Sequence, residues 1–103
     1  MQTNLRFHAG QIVTHRRFSY RGVIYLCDEQ FESTDEWYEQ MAISRPPKDR
    51  PWYGVLVDNS LHTTYVAERN LSLSEDKSQV NHPDLGFYFD QFDGLEYRVR
   101  VMN

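Results

Sequence analysis

Residues 14–30 read THRRFSYRGVIYLCDEQ, and the way this stretch folds decides the rest. Val23 to Cys27 shows no apolar–polar alternation and is built of β-branched, aromatic and aliphatic residues. That composition predicts a strand buried on both faces. Gly22 ends the polar connection before it, and Ile12-Val13 open a shorter apolar run behind the turn residue Gly10. Two such runs around a polar connection predict an antiparallel hairpin. The connection is basic, with Arg16, Arg17 and Arg21 in a chain of formal net charge -4. It is either a hook for phosphate or a solvated turn.

Downstream, Ser33 to Glu36 fits a capping box, which predicts a short helix over Thr34 to Ala42 with Trp37 and Met41 on one face. SRPPKDRP, residues 44–51, holds Pro46, Pro47 and Pro51 and predicts an irregular loop. Trp52 to Val57 then predicts an interior strand, Asp58-Asn59-Ser60 a turn, and Leu61 to Ala67 the hairpin partner. AERNLSL, residues 67–73, reads as a tight turn and SEDKSQVN, residues 74–81, as a polar loop. Pro83 opens a second predicted helix, with Leu85, Phe89 and Phe92 as its apolar stripe and Gly94 as its stop. Leu95, Tyr97, Val99 and Val101 alternate with Glu96, Arg98 and Arg100, which predicts a half-buried strand with a basic outer face. The expected fold is mainly β: a small antiparallel barrel of about five strands with one or two short helices. Closure would remove the edge hazard of its apolar strands.

The chain has 103 residues, so a single domain over 1–103 is expected. A chain of that size buries on the order of 65% of its unfolded surface, enough for one core without staples. One cysteine, Cys27, excludes an internal disulfide and suggests a reducing compartment. The N-terminal residues lack the apolar stretch of a signal peptide, and VIYLC is too short to span a bilayer. A cytoplasmic protein without membrane contact is the expectation. The charge is uneven: four arginines and no acid lie between Arg6 and Tyr25, six acids and no base between Asp28 and Glu39. One basic and one acidic surface follow. The acidic total disfavours non-specific binding to nucleic acid.

Reaction chemistry is sparse. His8, His15, His62 and His82 have no metal-site spacing. Cys27 sits inside an apolar strand, where a thiol is inert. Asp35, Glu36 and Glu39 read as a solvated helix face. No nucleophile-elbow, phosphate-loop or dinucleotide motif is present. No cofactor, no metal and no catalytic residue is expected, and the chain reads as a binding module. Trp52 and Tyr53 border the proline loop, and an exposed aromatic there would mark a partner surface. With Trp37 they are the protein-binding candidates. His15, Arg16, Arg17, Arg21, Arg98 and Arg100 are the candidates for duplex DNA, provided the first hairpin and the last strand lie side by side.

The spaced residues Phe7, Gly10, Val13, His15-Arg16, Tyr20, Gly22-Val23-Ile24 and Asp28 carry a family resemblance. It continues through Pro51-Trp52-Tyr53, Val55-Leu56-Val57-Asp58, Tyr65-Val66-Ala67-Glu68, Asn70-Leu71 and His82-Pro83. Together they resemble the hemimethylated-DNA-binding or heat-shock protein Q family, the YccV-like domain. The resemblance implies an SH3-like barrel and a non-enzymatic role in protein degradation, quality control and stress response. It implies a protein partner, either an ATP-dependent protease of the Lon type or a ubiquitin-ligase component, and weak contact with duplex DNA. The tail from His82 is similar to the longer domain found in F-box proteins. An exposed strand edge would also permit self-association.

Overall fold

A computed structural model describes residues 5–101. The chain runs β1 (Ile12–His15), β2 (Arg21–Asp28), α1 (Asp35–Met41), β3 (Trp52–Val57), β4 (Thr63–Ala67), a 3-10 turn (Glu68–Asn70), β5 (Leu71–Leu73), α2 (Leu85–Tyr88), β6 (Phe89–Phe92) and β7 (Tyr97–Val99). The first five strands form one antiparallel sheet in the order β4-β3-β2-β1-β5, and β6 and β7 form a separate hairpin.

The order of strands forces the sheet to roll. At roughly 4.8 Å per strand, four spacings would hold the two edges of a flat sheet about 19 Å apart. Edge β4 is nevertheless joined to edge β5 by the turn Glu68–Asn70 alone, which rises only about 6 Å. The inner face of the roll carries Val13, Ile24, Tyr53, Val55, Val66 and Leu71, with Phe7 closing one end. No ladder joins β4 to β5 among the described residues, so the expected closed barrel is an open roll.

The outer face is covered in two places. Ile12, Val23 and Leu56 pack under Val80, Phe89 and Tyr97 of the C-terminal segment. Gly10 permits that docking: its φ is +100°, and a Cβ there would stand 2.1 Å from the Tyr97 carbonyl oxygen. At the other end, Trp52 and Ala67 pack under Phe31 and the α1 residues Trp37 and Tyr38.

Several sequence expectations shift. The helix cap is Thr34, not Ser33: its hydroxyl accepts from Trp37 N–H at 3.0 Å. Asp35 and Glu36 then stand in the first turn, where the helix dipole favours acids. β2 has the predicted two-sided burial only at Val23 and Ile24. A register shift between Ile24 and Leu26 re-aims its second half, and Leu26 is exposed. Residues 67–73 hold a whole strand, β5, besides the tight turn. The helix predicted from Pro83 to Gly94 is a single turn, Leu85–Tyr88. Asp84 makes no side-chain cap there, and Gly86 weakens the helix interior. Pairing with β7 draws Phe89–Phe92 into a strand. In the last strand Tyr97 is buried, whereas Leu95, Val99 and Val101 are exposed.

Candidate functional site

Trp52 and Tyr53, the candidates for a partner surface had either been exposed, are both core: they are 2% and 0% exposed. Their strand is covered on both sides, by the rolled sheet and by α1 with the proline loop. Trp52 Nε1 donates to Pro47 O at 3.1 Å, and Tyr38 OH donates to Pro46 O at 2.6 Å, so the loop is tied down over the indole. Tyr53 OH donates to Glu68 Oε2 at 2.6 Å and accepts from Phe7 N–H at 3.2 Å. Burial first, and the Glu68 carboxylate second, push the Tyr53 phenol well above its ordinary value.

The six DNA candidates do not form one patch. Arg21 is an internal clamp. It pairs with Asp58 at 3.0 Å, and it donates to the carbonyls of Asp76, Ser78 and Gln79. It thus pins the polar loop that follows β5. Arg98 pairs with Asp93 at 3.2 Å, and Arg100 donates to Gly86 O at 2.7 Å. Tyr97 N–H donates to Gly10 O, so the last strand meets β1 at its beginning. Arg16 and Arg17 lie past the end of β1, six residues on from Gly10, roughly 20 Å of extended chain. His15 is buried under its own turn and is not a phosphate contact: its Nδ1 accepts from the N–H groups of Arg17 at 3.1 Å and Phe18 at 3.2 Å. Its ring stacks on Phe18 at 4.7 Å between centroids.

That turn is where the open side of the roll lies. Tyr20 reaches across the opening, its hydroxyl 2.7 Å from Thr64 Oγ1 on β4. Beside this bridge a cavity of ≈ 370 Å³ runs between the turn and α1. His15, Phe18 and Tyr20 form one wall, Trp37 and Met41 the other, and Thr63 to Val66 of β4 the floor. A smaller cavity continues it past Arg17, Ala42, Ile43 and Ala67. Phe18 and Met41 at its mouth are 63% and 60% exposed, and Ile43 is also exposed. Trp37, the third aromatic candidate, is half-buried on the wall and packs against Tyr65. Tyr65 OH donates to Asp28 Oδ2 at 2.6 Å, which fixes its ring. Burial, then the Asp28 bond, hold that phenol protonated far above its usual range.

Sequence reasoning missed Phe18, Met41, Ile43 and Tyr65 as one surface. Phe18 inside a run of arginines and Met41 at a helix end were the available signals. The histidines are scattered: His8 pairs with Glu96 and His82 Nε2 bonds His62 O. Burial raises the Cys27 thiol above its ordinary value, and the neighbouring Asp28 charge adds to the effect. The reactive thiolate is thereby disfavoured. No helix among the described residues is long and apolar enough to cross a membrane.

The family described as hemimethylated DNA-binding protein YccV like matches this chain over residues 5–96. The chain is 33% identical over 93 residues to the F-box only protein 21 of Homo sapiens and of Pongo abelii, covering 88% of its own length. The mouse protein of the same name is 32% identical over the same span. The chain spans 15% of the length of these relatives. No solved structure matches the chain.

Proposed function

This chain belongs to the YccV-like family, and from that membership we propose that it is a non-catalytic docking module of protein degradation, with an SH3-like roll as its scaffold. The groove on the open side of the roll carries the reading. It gathers Phe18, Trp37, Met41 and Tyr65 along one surface, with apolar side chains exposed at its mouth. Aromatic and methionine side chains around a polar rim are the composition of a protein-binding surface. Similarity to F-box only protein 21 supports a partner in a ubiquitin ligase, and the wider family a partner in an ATP-dependent protease such as Lon. The module would hold a client or a neighbouring subunit while another component performs the chemistry.

Duplex DNA is the weaker reading. The family description names hemimethylated DNA, but of the six candidates only Arg16 and Arg17 are exposed and without a hydrogen-bonding or ionic partner for their guanidinium groups among the described residues. Among the described residues no helix of the length needed to enter a major groove lies beside them.

The test is crosslinking and capture from the native cell with wild type and with Phe18→Ala combined with Met41→Glu. Recovery of a protease or ubiquitin-ligase component by wild type, lost in the folded variant, supports the reading. Equal recovery by both proteins rejects the groove, and recovery of neither class rejects the degradation role.

A further inference from the structure

Resting on the docking reading of the same groove, we propose that its occupant is an extended peptide segment added as a strand to β4. Its apolar side chains fall on alternate residues, and an acidic residue lies at the end beside Ala67.

The register of β4 supplies the backbone template. Val57 N–H donates to His62 O at 3.1 Å, and Glu68 N–H donates to Pro51 O at 3.0 Å. Bonding to a neighbour alternates along an antiparallel strand, so Thr64 and Val66 also turn their backbone groups toward β3. The Ala67 carbonyl caps the 3-10 turn that follows, so the groups turned outward and free are the N–H and C=O of Thr63 and Tyr65 and the N–H of Ala67. No other backbone takes them among the described residues. An unpaired row of this kind accepts an added strand. Exposed edges usually carry lysine or proline against such pairing, and TTYVA, residues 63–67, carries neither.

The walls suit alternate side chains. Successive residues of an added strand would point to opposite sides. One side is the wall of His15, Phe18 and Tyr20, the other that of Trp37 and Met41. Charge fixes the end. Arg17 lines the cavity beside Ala67 and Asn70, and Arg16 N–H donates to Asn70 O at 2.7 Å. No carboxylate pairs with either guanidinium among the described residues. An acidic residue there is attracted and a basic one repelled.

The probe is a fluorescein-labelled peptide of about ten residues, taken from a random displayed library selected on the full chain. Selected peptides should alternate apolar residues and carry aspartate or glutamate at one end. Methylating alternate backbone nitrogens in one register should weaken binding about tenfold, and in the other register little. Thr63→Pro should weaken it similarly. The Thr63 N–H lies outside the β3 ladder, so this variant keeps its fold, which circular dichroism checks. Arg16→Glu with Arg17→Glu should also weaken binding. Binding that ignores both methylation registers and Thr63→Pro overturns the strand mode. So do basic selected peptides, no selected peptides, or a dimer of the chain sealed through β4. If partner capture still depends on Phe18 and Met41 in any of those cases, the docking reading survives and only the strand mode falls.

Discussion

His15 shows how one side chain sets the shape of a turn. Its Nδ1 accepts two backbone N–H groups, so this nitrogen must be bare. Burial, and then the Arg17 charge, lower the imidazole from its ordinary 6.5. The unfolded chain therefore binds a proton at a pH where the folded chain does not. Stability is full above about 6.5 and falls as pH drops through the folded value. Asp76 and Asp93, held below 3.8, act only at lower pH. Urea midpoints at about pH 7 and pH 5 should fall with acid, by less in His15→Gln. Phe18 sits on the same ring, so acid should also loosen that wall of the groove. Arg21, in the same run, shows the limit of reading charge from sequence. Its position among Arg16 and Arg17 suggested a shared patch, while its partners Asp58 and Asp76 come from distant loops.

At the scale of elements, local pattern was legible where one partner sufficed. The hairpin β1–β2, helix α1 and the pair β3–β4 follow from runs and turn residues alone. β5 was not legible, because three residues of LSL gain their strand only from β1. The stripe Leu85, Phe89 and Phe92 did identify residues that pack together. It gave the wrong period: Phe89 and Phe92 would face opposite sides of a regular strand, and the register shift between Phe89 and Gln91 brings both to the cluster. The C-terminal hairpin is held by a polar anchor as well as by packing. Tyr97 OH accepts from buried Val80 N–H at 2.8 Å. Tyr97→Phe should cost about 1–3 kcal/mol by leaving that N–H unpaired, read as a lower denaturation midpoint.

At the scale of the whole molecule, rolling the sheet brings together what the sequence keeps apart. Phe18, Met41 and Tyr65 meet across the open side only because β4 returns to β5 through one short turn. Strand alternation left one of Trp52 and Tyr53 a candidate for the surface, and it could not show the second layer that buries both. The same geometry limits DNA contact. With only Arg16 and Arg17 free among the six candidates, duplex binding through those candidates should show a salt slope no steeper than about −1.8, measured by titration at several ionic strengths. A slope near −4.5, as five phosphate contacts would give, would refute that restriction.

The two indoles occupy unlike surroundings, Trp52 sealed and Trp37 half open on the groove wall. The chain thus carries its own optical gauge. When a ligand seats, emission from Trp37 should move to shorter wavelength as water leaves it, over a constant background from Trp52, and Trp37→Phe should abolish the response.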